Sequence, residues 1–132
     1  MIHKKIINLK TSEENEMIDI TSIIGKFIKE SPIKNGLCHI FVPHTTAGVT
    51  INENSDPHLL EDMLTHLEKL VPTSPLYKHT SHTEGHIKST LVGHSETILV
   101  ENGKPLLGQW QAIYYCEFSG PRTREVHLSI IS

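Results

Sequence analysis

The segment from Leu106 to Phe118 constrains the fold of this chain more than any other. Trp110, Ala112, Tyr114, Cys116 and Phe118 fall on one face of an extended strand, with Gln109, Gln111, Ile113, Tyr115 and Glu117 on the other. Asn102-Gly103 stands just before it, and that dipeptide favours a tight turn between antiparallel strands. A strand so rich in aromatic and apolar residues needs partners, so the chain has to build a sheet around it. Further strands are expected at His3 to Leu9, Glu16 to Ile20, Leu37 to Val42, Val49 to Glu53, Glu96 to Val100 and Arg124 to Ile131.

Two stretches break this pattern with helical spacing. Thr21 is placed to cap a helix carrying Ile24, Phe27 and Ile28, which ends near Pro32 to Gly36. Asp56 before Pro57 makes an N-cap and first-turn pair. Leu60, Met63, Leu64, Leu67 and Val71 then form one stripe, and Pro72 stops the helix. Pro75 to Gly85 reads as a polar loop and His86 to Val92 as a short helix. Ser12 to Asn15 reads as a turn between the first two strands, and Pro43 to Gly48 as the connection of an antiparallel hairpin. The fold class is therefore α+β: a single compact domain, residues 1–132, of mostly antiparallel packed sheet with two main helices.

Composition narrows the function. With 12 Lys+Arg against 15 Asp+Glu the chain has a formal charge of −3, which argues against a phosphate-backbone binder. No nucleic-acid partner is expected. The charged N-terminal segment MIHKKIINLK is unlike a signal peptide, and no run reaches membrane-spanning length. A cytoplasmic protein with no membrane partner is the expectation. Cys38 and Cys116 share no metal-type or redox spacing and sit in apolar runs, as buried free thiols do.

Ten histidines in 132 residues direct attention to metal or proton chemistry, because imidazole ligates borderline metals and titrates near neutrality. Four of them, His79, His82, His86 and His94, fall in one short stretch. His44 precedes Thr45, Thr46 and Gly48 at a strand connection, where amides and hydroxyls can hold an anion while the imidazole faces a metal or a proton. The same threonines would also serve a hairpin that bonds its own backbone. Glu53 at a strand end and Asp56 at a helix start bring two carboxylates to one sheet edge, as general base or support for a ligand; capping alone accounts for Asp56. Arg122 and Arg124 flank a turn as a fork for phosphate or carboxylate, and Lys88 adds a third cation. Against this, a solvated histidine-rich loop is the plainer reading of residues 79–86.

Four stretches resemble the YjbQ-like family, whose members are described as secondary thiamine-phosphate synthases. They are HTTAGVTINEN at 44–54, SDP at 55–57, GHIKSTLVG at 85–93 and LLGQWQAIYYCEFSGPRTREV at 106–126. The resemblance implies a compact α+β fold assembled as a homotrimer, with a histidine-lined pocket near subunit boundaries where a metal binds. It also implies the joining of thiazole phosphate to pyrimidine diphosphate with release of pyrophosphate. Carried over by position, it marks His44, Asn52, Glu53, His79, His86, Trp110, Gln111 and Arg122. The loop at 80–85 is shorter than in many relatives, His82 has no firm counterpart, and Gln109 replaces a more usual threonine.

The resulting expectation is a trimeric, metal-dependent enzyme acting on a small phosphorylated or anionic metabolite, a transferase if the synthase activity holds. His44, His79 and His86 would hold the metal, with zinc first and magnesium second. Glu53 and Asp56 would be catalytic. Thr45, Thr46, Asn52, Lys88, Trp110, Gln111 and Arg122 would contact substrate. Two other readings stay open: a non-enzymatic trimer that binds a metabolite or metal, and a trimer interface made pH-responsive by its histidines. Whether His82 or His94 joins the site is left open as well.

Overall fold

The strands divide between two sheets, and that division places the functional side chains. A computed structural model describes residues 1–132. In chain order the elements are β1 (Ile2–Lys10), β2 (Glu16–Asp19), α1 (Thr21–Glu30), β3 (Gly36–Phe41), β4 (Ala47–Glu53), α2 (Pro57–Leu70), α3 (Thr83–Val92), β5 (Ser95–Glu101), β6 (Lys104–Pro105), β7 (Gln111–Glu117) and β8 (Thr123–Ile131). One sheet has five strands in the order β1-β8-β3-β5-β6, the other three in the order β2-β7-β4. Every pairing is antiparallel.

The core lies between the sheets. Ile40, Val126, Leu128 and Ile130 from the larger sheet meet Val49, Ile113 and Tyr115 from the smaller one. Helix α1 adds Ile24, Phe27 and Ile28, as its spacing predicts. Strand β7 is the middle strand of its sheet and is enclosed from Ala112 to Glu117. Its alternation therefore separates two buried faces. The Phe118 ring beyond it faces α3, where it meets the Lys88 ammonium.

One expected connection is corrected. Residues 43–48 do not close a hairpin, because both edges of β3 are occupied, by β5 and by β8. Strand β4 pairs with β7 instead. The segment from Val42 to Thr46 thus crosses from one sheet to the other and carries His44 with it. Residues 11–15 make the same kind of crossing, since β1 pairs with β8 and β2 with β7. The long strand expected from Leu106 shortens to Gln111–Glu117, because a turn intervenes in which Gly108 accepts from the Gln111 amide. The Asn102-Gly103 turn forms, with both residues at positive φ (53° and 75°), but it joins β5 to the two-residue β6 and not to the long strand, which lies in the other sheet.

Asp56 caps α2, its Oδ1 accepting from the His58 amide at 2.9 Å. Thr21 does not cap α1: the helix starts at that residue, and its hydroxyl accepts from the Ile113 amide at 2.8 Å. The third helix begins at Thr83, three residues earlier than its sequence suggests. It lies against β4 and the end of β7, where a Cβ on Gly48 would stand 2.5 Å from the Gly93 carbonyl oxygen and one on Gly85 2.7 Å from that of Phe118. Gly48 is needed for this close approach; its backbone is not among the positive-φ positions.

Candidate functional site

The sheet crossover at 42–46, the start of β8 and the N-terminal half of α3 enclose a cleft of about 490 Å³. Ten residues line it: Pro43, His44, Thr45, Thr46, His79, Ser81, His82, His86, Arg122 and Arg124. Four imidazoles and two guanidinium groups face this space, and no carboxylate does. A second hollow opens from it between His44, His86 and His94.

The floor of the cleft is a buried polar network. Glu117 is fully enclosed and Arg124 is 5% exposed. Arg124 donates to Glu117 from Nε at 2.9 Å and from Nη2. The Glu117 carboxylate also accepts from the Thr11 hydroxyl at 2.8 Å and from the amides of Phe118 and Ser119, both at 3.1 Å. Burial would raise this carboxyl, but the bonds from Arg124, Ser119 and Thr11 outweigh that and hold it below its ordinary value. Burial acts against the charge on Arg124 too, and Glu117 more than offsets it, so the guanidinium stays charged.

Ser119 ties the two arginines together. Its hydroxyl donates to Thr46 Oγ1 at 2.6 Å and accepts from Arg122 Nε at 3.1 Å and Arg124 Nη2 at 3.3 Å. Arg122 and Arg124 are two residues apart in extended chain, so they emerge on one side. The Thr46 hydroxyl, expected to contact substrate, accepts from Ser119 and Arg124 in this network, and the residue is buried. Thr45 is exposed at the rim.

His44 is half-buried, and its Nε2 accepts from the Glu125 amide at 2.9 Å. Burial first, and then the Arg124 charge, lower its pKa from the ordinary 6.5. The His79 and His86 rings lie 5.3 Å apart, nearly perpendicular. Two imidazoles on one tetrahedral zinc, with Zn–N about 2.0–2.1 Å, would stand at about that separation. The full three-histidine shell does not form within one chain, for no three His, Cys, Asp or Glu side chains converge on a common point.

Other expected residues lie elsewhere. Lys88 is corrected from anion ligand to structural cation: it is 1% exposed, ion-paired with Glu68 and bonded to Asn15 Oδ1 at 3.1 Å. Two residues past His86 on a helix is about 200° around the axis, which turns it away from the cleft. Asn52, Glu53, Asp56, Trp110 and Gln111 cluster at the far end of the small sheet. Ala47 pairs with Glu117 beside the cleft, whereas Glu53 pairs with Gln111 six residues on, about 20 Å away at a strand's rise per residue. There Asn52 Oδ1 accepts from the Glu53 amide, Gln111 Oε1 accepts from the Gly108 amide, and Trp110 is 57% exposed.

Sequence reasoning missed Glu117 and left Arg124 out of the site. The signal was present, because a carboxylate sharing a face with Ile113 and Tyr115 needs a buried partner. His82, set aside for want of a counterpart, lines the cleft from a left-handed backbone position at the start of α3 (φ 54°).

The fold and the cleft define a class: small two-sheet α+β proteins with a histidine- and arginine-lined hollow at a sheet crossover. The family signature described as UPF0047 protein YjbQ-like matches residues 5–132. This chain belongs to the YjbQ/UPF0047 family. It is 48% identical over 124 residues to UPF0047 protein MJ1081 of Methanocaldococcus jannaschii, covering 93% of this chain and 90% of that one. It is 45% identical over 129 residues to UPF0047 protein YugU of Bacillus subtilis, covering 96% and 98%. Among solved structures, a YjbQ/UPF0047 family protein from Clostridium acetobutylicum superposes with a TM-score of 0.93 at 47% identity, covering 96% of this chain and 99% of that one. A second, from Sulfolobus solfataricus, gives 0.93 at 33% identity, covering 98% and 96%.

Proposed function

We propose that this protein binds a small phosphorylated or otherwise anionic metabolite in the cleft between His44, His86 and Arg122, and acts on it as a metal-dependent enzyme. One observation carries the reading: six cationic or imidazole side chains line the cleft with no carboxylate among them. Its volume falls within the span usual for small-molecule sites, about 300–1,000 Å³. The Nη atoms of Arg122 make no bond within the chain, while its Nε is anchored on Ser119. That leaves a planar donor pair oriented for an oxyanion.

His79 and His86 are the residues that would hold a divalent ion, zinc first and magnesium second. Such an ion, when bound, would polarise a phosphoryl oxygen. Two imidazoles would not complete the shell of such an ion, and water, the metabolite or another copy of the chain would have to supply the other ligands. Assembly as a homotrimer fits this reading. It would let the Glu53, Asp56 and Gln111 end of one protomer approach the cleft of the next. Ile2, Ile131, Leu37 and Leu99, which are exposed, stand in one row across four strands of the larger sheet and suit such packing.

Within this reading the chemistry is transfer onto or from a phosphorylated substrate, and thiamine-phosphate synthesis is a secondary activity. Two buried free thiols fit a reducing cytoplasmic setting, and no helix is long and apolar enough to cross a membrane. The test is to incubate the chain with thiazole phosphate and pyrimidine diphosphate, with zinc or magnesium, and assay pyrophosphate. Release that depends on metal and is lost in His86→Ala is expected. Absence of release with either metal would remove the synthase activity from the proposal.

The incomplete metal shell within one chain favours one alternative, a non-enzymatic anion-binding protein. A thermal-shift screen of phosphorylated metabolites, with a turnover assay on each stabilising compound, separates the two. Stabilisation without product would select the binder.

A further inference from the structure

We propose that His44 serves the cleft as a hydrogen-bond donor to the bound anion, locked in one tautomer with its proton on Nδ1, and is not a metal ligand. The inference rests on the anion reading of the cleft and assigns His44 a different role within it.

The geometry is set by strand β3. It ends at Phe41, opposite His127 of β8. Past that point no β3 residue is left to pair with Glu125, and the imidazole of His44 accepts its amide proton at Nε2, 2.9 Å away. A backbone amide can only donate, so Nε2 presents its lone pair. A neutral imidazole has one donor and one acceptor, which leaves the proton on Nδ1. A metal-ligating histidine shows the opposite polarity, its second ring nitrogen donating to a carboxylate, carbonyl or water. A metal at Nδ1 of His44 would have to displace the ring's only proton while Nε2 kept its amide.

Nδ1 is also available. It makes no bond within the chain, yet the Tyr115 hydroxyl is the one enclosed side-chain polar atom without a partner. Nδ1–H is therefore open to solvent on a residue that lines the cleft. Beside it stands the fixed charge of Arg124, and Arg122 is anchored on Ser119. A neutral N–H donor next to two guanidinium groups suits a phosphoryl or carboxylate oxygen and repels a cation.

The test is nitrogen-15 correlation spectroscopy of the histidine rings in the full-length chain at neutral pH, with inorganic phosphate and zinc as separate probes. The expected result is a protonated Nδ1 and a bare Nε2 on His44, a phosphate-dependent shift of Nδ1, and zinc-dependent shifts on His79 and His86 only. A proton on Nε2, or loss of the Nδ1 proton on adding zinc, would overturn the proposal. In His44→Gln, phosphate affinity should fall about tenfold, the scale of one hydrogen bond to a charged group. A parallel loss of zinc affinity of more than about 100-fold, beyond what a supporting residue accounts for, would make His44 a ligand after all. Phosphate that moves no histidine resonance would defeat the anion reading itself, whereas the tautomer of the free protein decides the lock on its own.

Discussion

Arg124 and Glu117 form a buried ion pair at the floor of the histidine cleft, the guanidinium meeting the carboxylate through both Nε and Nη2. The pair joins β7 to β8 across the two sheets, and through Ser119 it also fixes Arg122. Stability and the shape of the cleft therefore depend on the same side chains.

Glu117→Gln should destabilise the fold by about 3–5 kcal/mol, because it leaves a buried guanidinium without its counter-ion. Urea unfolding of the variant measures this. The double variant Glu117→Gln, Arg124→Met should recover part of the loss, since no lone charge then remains inside.

Acid should act through the same carboxylate. The folded value of Glu117 lies below 4.5, so its stabilising contribution is complete above about pH 4.5 and is lost as pH falls through the folded value. Unfolding free energy measured down to pH 3 should fall more steeply in the wild type than in Glu117→Gln.

Lys88→Met should lower stability by about 1–3 kcal/mol. The estimate is moderate because Glu68 is 47% exposed and can rehydrate once its partner is gone. Phosphate affinity, measured by calorimetry, should not change. An equal fall in affinity would return Lys88 to the anion site.

Tyr115→Phe should change stability by no more than about 1 kcal/mol, because the enclosed hydroxyl lies near the Arg124 guanidinium without closing a well-formed hydrogen bond. Thermal unfolding of the two forms compares them directly.

Trp110 is the single tryptophan of the chain and is 57% exposed. If the far end of the small sheet meets the cleft of another copy, its emission should shift to the blue at concentrations where the chain sediments as a trimer. Emission that does not vary with concentration would place any subunit contact elsewhere.

Local features were legible without the structure. The buried stripe of α1, the Asp56 cap, the Asn102-Gly103 turn and the buried thiols follow from nearest-neighbour chemistry, and each stands as read. His44, His79 and His86 line one cleft, but they do not converge on a common metal position within the chain. The connection at 43–48 crosses between the sheets where its spacing suggests a hairpin, and the turn at 12–15 also leads from one sheet to the other. Alternation says which face of a strand is apolar, but not which strand lies beside it.

The same gap separated residues that are near in sequence. Asn52 and Glu53 follow His44 by fewer than ten residues, yet β4 carries them about 20 Å from the cleft at a strand's rise per residue. Lys88 follows His86 by two, and the helix turns it to the opposite side. Glu117 and Arg124 met because the sheet holding β7 packs against the sheet holding β8, although the two strands do not pair.

The sequence by itself determined the segments: where the chain is extended, where it is helical, which residues cap and turn it, and which side chains can bind a metal or an anion. Those properties arise within a few residues and are written in periodicity and chemistry. The tertiary structure alone decided the partners. Pairing in β3 left the Glu125 amide free for His44, the sheet crossover set His44 beside Arg124, and the pitch of α3 took Lys88 out of the cleft. Such contacts join residues tens of positions apart, and only the packing of the two sheets selects among them.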